Sequence, residues 1–216
     1  MLLAIERSSP VASAALLDGG GRVVAAASSA APGQGDAWPL VRGLLDRAGA
    51  AAGDLDAFAV GVGPGSFSGI RAALALAQGL AAPRGIPVRG VSSAAAAVLA
   101  WRGAHPAAPR ARLFGDARRG EVWAFDEPDD PRTLAHTASD LRLLSAQAAR
   151  AEALEPAFSA LAADPERLAR LLPGIALKPA VPTAEAVAAI FLAGSSASAD
   201  PVYVHPAVVG AAVSAV

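Results

Sequence analysis

A glycine-rich turn is the feature that most constrains how this chain can fold. Residues 61–71 read Gly-Val-Gly-Pro-Gly-Ser-Phe-Ser-Gly-Ile-Arg, with the apolar run 57–60 before them and the helix-forming run 72–82 after them. Gly63 and Gly65 can adopt backbone angles closed to other residues, and we expect Gly65 to occupy one that a Cβ disfavours. The pattern predicts a buried strand, a tight turn and a helix, whose first N–H groups suit an anion.

The order of residues in this turn resembles the GPGSFTG(V/L)R signature of the bacterial TsaB family, also called YeaZ, with Ser68 where threonine is usual. Either Ser66 or Ser68 can cap the helix that follows. We call this segment the signature loop. Its characteristic residues are Gly63, Pro64, Gly65, Ser66, Phe67, Ser68, Gly69 and Arg71.

Other segments resemble the same family in the same order along the chain. Residues 2–9 resemble its opening strand, LAIDTST, and residues 38–45 resemble its LLPxIxxLL helix. The other matches are residues 91–93, 116–123 and 201–204, against GVS(S/T), DARxxEVY and PxYL. The resemblance covers nearly the whole chain, strongly through residue 125 and faintly between residues 127 and 198.

The spacing of apolar residues predicts a mixed α/β chain. In the first half we expect strands at 2–5, 11–17, 22–27, 57–62 and 88–91, and helices at 37–48, 68–82 and 93–101. In the second half we expect strands at 112–115, 121–125 and 133–137, and helices at 141–150, 165–172 and 184–193. The order of the first half, βββαβαβα, is typical of a mixed sheet with helices packed on it.

The resemblance implies the two-lobed actin-like fold shared with Hsp70 and sugar kinases, the ASKHA fold, with a reduced second lobe. It divides the chain into residues 1–104, which carry the signature loop and the partner-binding helices, and residues 105–216. The second lobe is an α/β unit whose last helix can pack back on the first lobe. The sequence pattern by itself supports only two α/β lobes.

Composition excludes several classes of function. The net charge of -1 argues against a broad basic surface and against strong independent binding of RNA. Because the chain has no cysteine, disulfides, thiolate nucleophiles and sulfur-ligated metals are excluded. The start of the chain reads as a strand rather than a signal peptide, and the longest apolar run, residues 94–101, is too short to cross a bilayer. We therefore expect a cytoplasmic protein without a membrane partner.

Candidate catalytic groups are sparse. His105, His136 and His205 are isolated, and none belongs to an HxxxH or HExxH pair, so a metal centre on paired histidines is not expected. The signature loop also differs from the G-x-S-x-G turn of serine hydrolases, and no nearby histidine can be assigned as a base. We expect negligible turnover by this chain alone.

Four residues are candidates for a cleft between the lobes: Glu6, Ser8, Asp116 and Arg118. At the turn after the first strand, nucleotide-binding actin-like proteins carry an aspartate that handles metal and phosphate, and Glu6 stands there in this chain. A charged turn that closes a hairpin is the alternative for both Glu6 and Asp116. No metal or cofactor is expected in this chain, although ATP or ADP at a partner interface remains open.

Two helices of the first lobe are predicted to form a shared apolar face. Small residues recur every four positions at Gly69, Ala73 and Ala77, and such a row lets another helix approach closely. Packing on the sheet beneath is the alternative. The predicted partner interface consists of Trp38, Val41, Leu45, Gly69, Ala73 and Ala77.

The resemblance implies a catalytically degenerate subunit of the machinery that makes threonylcarbamoyladenosine in tRNAs reading ANN codons. Its implied partners are the catalytic subunit TsaD and the ATPase TsaE, with a homodimer in the absence of TsaD and tRNA reached through the complex. Two alternatives from other classes remain. One is an actin-fold small-molecule kinase or ATP-binding protein, and the other is a peptidase of the glycoprotease-like family.

Overall fold

A computed structural model describes residues 1–29, 37–129 and 140–204 of the chain. The strands are β1 (Leu2–Glu6), β2 (Ser13–Leu17), β3 (Val23–Ser28), β4 (Ala57–Gly61), β5 (Val88–Val91), β6 (Arg110–Arg118), β7 (Glu121–Asp126), β8 (Arg142–Ser145), β9 (Phe158–Ala162), β10 (Lys178–Pro179) and β11 (Ala197–Ser198). The helices are α1 (Ala37–Ala48), α2 (Phe67–Ala81), α3 (Ser93–Ala104), α4 (Ala146–Ala153), α5 (Pro165–Leu168) and α6 (Ala184–Leu192).

The first sheet contains six strands in the order β11-β5-β4-β1-β2-β3. Strands β1, β2 and β3 pair antiparallel, as a meander joined by short turns, whereas β1, β4 and β5 run parallel. Strand β1 is buried along its whole length, and so is β4 apart from its first residue. Burial on both faces explains why these strands read as continuous apolar runs rather than as alternating ones.

Helices cover both faces of this sheet. On one face α1 and α2 pack over Leu3, Ile5 and their neighbours in one core cluster. On the opposite face α3 and α6 pack over Leu2 and Ala4. Alternate residues of β1 therefore belong to different cores, as the period of two in a strand requires.

The second sheet contains five strands in the order β10-β9-β6-β7-β8. The β6–β7 hairpin forms its centre, and β9 pairs parallel with β6. On the inner face Leu113, Trp123 and Phe125 join the same core cluster as α3 and α6. The outer face packs separately, with Phe114 and Val122 buried beside residues of α4 and α5. The two lobes are thus held together by one continuous core between their sheets.

The predicted two-lobed α/β fold with a smaller second lobe is confirmed. The last helix, α6, lies on the first sheet, and β11 pairs antiparallel with β5 of that sheet. Among the described residues, no helix combines the length and the apolar character that a membrane span requires. The division at residue 104 stays a prediction.

The structure corrects several elements of the second half. Residues 141–150 were expected to be one helix, but residues 142–145 form β8 because they pair with β7, and α4 begins only after Ser145 caps it. The helix expected at 165–172 ends at Leu168. Strands β9, β10 and β11 were not predicted. The strand expected at 133–137 lies outside the described residues.

Candidate functional site between the lobes

The signature loop connects β4 to α2 as the sequence predicts. Ser66 is the N-cap of α2, because its Oγ accepts a hydrogen bond from the backbone N–H of Gly69 at 3.2 Å. The backbone N–H of Ser66 donates to the carbonyl oxygen of Ser8 at 2.7 Å. Ser68 lies within the first turn of the helix and is exposed. The loop is therefore tied to the turn that follows β1.

Two glycines of the loop allow this close approach. Gly65 has a φ of +156°, and a Cβ on it would lie 2.2 Å from the carbonyl oxygen of Ser8. A Cβ on Gly69 would lie 2.1 Å from the carbonyl oxygen of Arg7. Because real Cβ atoms do not come this close to backbone oxygens, both positions require glycine in this arrangement. The expectation for Gly65 is confirmed.

Glu6 is fully buried behind the loop and does not line the cleft. Its Oε1 accepts from the backbone N–H of Ser8 at 2.5 Å, and its Oε2 accepts from the hydroxyl of Ser93 at 2.7 Å. The Ser93 Oγ accepts in turn from the backbone N–H of Gly63 at 3.0 Å. Gly61 leaves the space for the carboxylate, since a Cβ there would lie 1.8 Å from Oε2. Burial raises the pKa of Glu6, although these hydrogen bonds oppose the rise.

This arrangement corrects the prediction that placed Glu6 in the cleft. The Glu6 side chain, which is one methylene longer than that of aspartate, reaches beneath the loop. Its hydrogen bond with Ser93 joins the end of β1 to the start of α3. Ser8, Asp116 and Arg118, the other predicted cleft residues, do line the cavity between the lobes.

The cleft is a cavity of about 360 Å³ between the signature loop and the second sheet. One wall carries hydroxyl groups, those of Ser8, Ser66 and Ser68. The opposite wall includes the apolar Leu113 and Trp123 of the β6–β7 hairpin, together with the charged residues Asp116, Arg118, Asp164 and Arg167. Each wall comes from a different lobe, so the cavity exists only because the shared core fixes the two lobes together.

Asp116 is held at the mouth of the cavity by arginine. Its Oδ2 accepts from the Nε of Arg167 at 2.7 Å, and its Oδ1 accepts from the backbone N–H of Arg118 at 2.7 Å. Burial by itself would raise the pKa of Asp116, but these two hydrogen bonds outweigh it and the pKa lies below its ordinary value. Arg167 lies in the part of the chain where the resemblance is faint, and no sequence signal pointed to it.

The hairpin turn beside Asp116 is unusual in its backbone. Arg118 and Arg119 have φ values of 71° and 54°, in the left-handed region that residues with a Cβ rarely occupy. Gly120 follows with a φ of 81°. Turns of this kind ordinarily use asparagine and glycine. Here two arginines occupy them, and both are exposed at the rim of the cleft.

Aromatic side chains stand at another part of the rim. Phe67 and Tyr203 are 55% and 39% exposed, and their ring centroids lie 5.3 Å apart. The guanidinium carbon of Arg71 lies 5.0 Å from the centroid of the Phe67 ring. The segment that carries Tyr203 is anchored to the first lobe, because the backbone N–H of Val202 donates to the carbonyl oxygen of Val62 at 2.8 Å. Sequence analysis singled out Phe67 and Arg71 but did not connect them with Tyr203.

The predicted partner interface needs a correction. Of its six residues only Trp38 is substantially exposed, at 43%. The other five face the first sheet and are buried in the core of this chain: Val41, Leu45, Gly69, Ala73 and Ala77. The small residues on the exposed side of α2 are Ala75 and Gly79, with Ala72 half-buried beside them.

The histidines do not form a site within the described residues. The Nδ1 of His105 lies 3.0 Å from the carbonyl oxygen of Trp101, and the two rings are stacked at 4.7 Å. His136 and His205 lie outside the described residues. In the described ranges, no cluster of three or more histidine, aspartate or glutamate side chains is arranged to hold a metal ion.

Comparisons with known proteins identify relatives of this chain. A family model described as "TsaD: tRNA N6-adenosine threonylcarbamoyltransferase" matches residues 35–167. The chain is 42% identical over 94 residues to the tRNA threonylcarbamoyladenosine biosynthesis protein TsaB of Escherichia coli (strain K12). The aligned segment is 43% of this chain and 40% of that protein. The chain is 33% identical over 122 residues to TsaB of Haemophilus influenzae, which covers 56% of this chain and 51% of the relative. The chain thus spans about half or less of the length of the curated relatives it matches.

Likeness to solved structures extends over almost all of the chain. YeaZ from Pseudomonas aeruginosa superposes with a TM-score of 0.68 at 29% identity, covering 94% of this chain and 98% of that one. A second structure, described as an uncharacterized protein with similarity to peptidase YEAZ from the same organism, superposes with a TM-score of 0.70 at 29% identity and covers 94% and 99%. Sequence, family model and structure agree, and the chain belongs to the TsaB (YeaZ) family.

Proposed function

We propose that this chain is the non-catalytic subunit that scaffolds and activates TsaD in the cytoplasmic complex that makes threonylcarbamoyladenosine in tRNAs reading ANN codons. The observation that carries the proposal is the identity of 33–42% with curated proteins named TsaB. The likeness to YeaZ over 94% of the chain supports extending it beyond the aligned segments. In this proposal TsaE joins the complex, tRNA is bound chiefly through TsaD, and any ATP or ADP binds at a partner interface.

The chemistry of the cleft supports a non-catalytic role. The carboxylate that would handle metal and phosphate, Glu6, uses both oxygens inside the chain to hold the signature loop. Asp116 is neutralised by Arg167 at 2.7 Å, which leaves it a weak base. The imidazole of His105 is stacked on Trp101 and has its Nδ1 against a carbonyl oxygen. The two carboxylates are thus committed to structure, and His105 does not line the cleft.

The outer side of α1 and α2 is the surface we propose for TsaD. Trp38 offers a large, partly exposed ring on α1, and aromatic residues are enriched in the centres of interfaces. On α2, Ala75 and Gly79 are exposed and one helical turn apart, and a Cβ on Gly79 would meet nothing within 4 Å. Small side chains at this spacing let a partner helix approach closely. A second copy of the chain would occupy the same surface when TsaD is absent.

The test is co-purification with the cognate TsaD, using variants matched in charge. Ala75→Arg and Gly79→Arg place a long cation on the proposed surface, whereas Ala151→Arg places it on an exposed position of α4 in the second lobe. We expect the first two to reduce TsaD binding at least about tenfold and the third to leave it unchanged. All three should melt close to the parent temperature at protein concentrations at which the parent is monomeric, because each position is exposed in the single chain.

Two results would overturn the proposal. If the parent chain does not bind TsaD, and cells lacking this gene keep threonylcarbamoyladenosine in their tRNA, the function is wrong. Robust tRNA modification, kinase turnover or peptidase turnover by the purified chain without TsaD would contradict the non-catalytic role. If the parent binds TsaD and the α2 variants bind it equally well, the interface lies elsewhere and the function stands.

A further inference from the structure

The rim of the interlobe cleft carries arginines that have no close carboxylate partner among the described residues. Arg118, Arg119 and Arg170 are exposed around one opening, where Arg167 is already committed to Asp116. Arg119 and Arg170 have no carboxylate within 4 Å among the described residues. Arg118 reaches only Asp116, at 4.0 Å.

Acidic groups at the same opening do not cancel this charge. Asp116 is taken by Arg167 at 2.7 Å. Asp164 is the N-cap of α5, with its Oδ1 accepting from the backbone N–H of Arg167 at 3.1 Å. Four arginines and three carboxylates line the opening, so the lining has one more positive than negative group, although the whole chain has a net charge of -1.

The backbone that presents these arginines is costly. Arg118 and Arg119 both occupy the left-handed region, with φ values of 71° and 54°. This conformation is strained for a residue with a Cβ, and strain of this kind concentrates where a protein binds or acts. The turn directs two adjacent arginines at the rim of the cleft, which glycines at positions 118 and 119 would not do.

The interlobe cavity adjoins this opening, since Asp116, Arg118, Asp164 and Arg167 line both, and it has an aromatic side to its rim. Phe67 lines the cavity, packs against Tyr203 and has Arg71 over its ring. Exposed aromatic rings beside arginines are the platforms on which unpaired bases stack, while guanidinium groups bind the phosphates between them. We infer that this rim is an RNA-binding surface that contacts single-stranded nucleotides of tRNA. Phosphates lie on Arg118, Arg119 and Arg170, and a base takes the place of Arg71 over the ring of Phe67.

This inference rests on the proposed function for the identity of the RNA, but its chemistry does not involve TsaD. An acidic protein segment would also be attracted by the arginines, but it would gain little from an exposed aromatic pair beside a cavity lined with hydroxyl groups. Single-stranded RNA uses both features. With three phosphate contacts, we expect weak binding by the isolated chain and a shallow dependence on salt.

The experiment measures binding of the isolated chain to a fluorescent tRNA transcript by anisotropy, at several salt concentrations. Arg119→Ala and Arg170→Ala should each weaken binding about threefold to tenfold and lower the salt slope by about 0.7. Arg89→Ala removes an exposed arginine of β5 and should change neither. Phe67→Ala should weaken binding, Phe67→Tyr should restore it, and Leu154→Ala, which removes an exposed apolar side chain of the second lobe, should have no effect.

Three outcomes would overturn the inference. The first is that the chain does not bind tRNA at low salt at protein concentrations up to about 100 μM. The second is that Arg89→Ala and Arg119→Ala lower the affinity for tRNA equally. The third is that polyglutamate displaces the tRNA as readily as single-stranded RNA of equal charge does. The last would identify an acidic protein as the partner. Binding to TsaD is measured in parallel: rim variants that bind TsaD normally but lose RNA support the inference, whereas a parent that binds RNA but not TsaD contradicts the proposed function alone.

Discussion

Replacement of Gly65 by alanine tests the central contact of the signature loop. The added Cβ would lie 2.2 Å from the carbonyl oxygen of Ser8 and 2.8 Å from its Cβ. Both atoms belong to the turn after β1, and that turn cannot move freely because its N–H groups hold the buried carboxylate of Glu6. The substitution must therefore displace either the loop or the turn.

The expected loss combines two effects. A non-glycine residue held at a φ of +156° costs about 1–3 kcal/mol in backbone strain. Overpacking against a fixed backbone adds about 1–3 kcal/mol. The sum, about 2–6 kcal/mol, corresponds to a fall of about 5–20 °C in Tm for a chain of this size.

Gly79→Ala is the matched control. It adds the same methyl group to a glycine in the interior of α2, where the Cβ meets nothing within 4 Å. Because glycine in a helix is less favourable than alanine by about 0.5–1 kcal/mol, this variant should melt slightly above the parent.

Thermal unfolding, followed by circular dichroism and tryptophan fluorescence, measures both variants. The prediction requires changes of opposite sign. A Gly65→Ala variant that melts within about 1 °C of the parent would refute the reasoning, since it would mean that the Ser8 contact gives way at little cost. A Gly79→Ala variant that is strongly destabilised would show that α2 has a packed partner on its outer side.

Two further predictions concern buried positions. Burial raises the pKa of Glu6 in the folded chain above its ordinary 4.5, so the folded state binds the proton more tightly than the unfolded state does. Proton binding at Glu6 therefore stabilises the fold at low pH, and this stabilisation is lost as the pH rises through the raised pKa. The unfolding free energy of the parent relative to Glu6→Gln should fall as the pH rises above the ordinary pKa of 4.5, and parallel curves would contradict it. Ala73→Arg should cost at least about 3 kcal/mol because Ala73 is fully buried against the sheet, whereas Ala75→Arg should change stability by less than about 0.5 kcal/mol in thermal melts. Equal melting temperatures for these two variants would show that Ala73 does not face the sheet.

The local features of the first half of this chain could be predicted from its sequence, whereas several elements of the second half could not. Residues 57–71 contain an apolar run, two glycines that permit a tight turn, Gly63 and Gly65, and a serine at the right distance to cap a helix. The structure has strand, loop and N-cap at those places. The family resemblance was carried by the same segment and implied the two-lobed fold. Such features depend on neighbours within a few residues, so the sequence contains what is needed to infer them.

The direction in which α2 faces was decided only by the tertiary structure. Ala73 and Ala77 form a row of small residues that fits either a partner helix or the sheet beneath, because an alanine row has the same period in both cases. The sheet takes this row, and the side with Ala75 and Gly79 is left exposed. Apolar content cannot separate the two sides of a helix that is small and apolar nearly all round.

The chemistry of the cleft likewise depended on distant contacts. Asp116 is neutralised by Arg167, 51 residues further along the chain, and Glu6 is bound by Ser93, 87 residues away. Phe67 meets Tyr203 only because the end of the described chain returns to the first lobe. The sequence by itself determined which local units form and which family the chain resembles. The tertiary structure decided which charges are paired, buried or left exposed, because those properties depend on the path of the chain and not on the spacing of its residues.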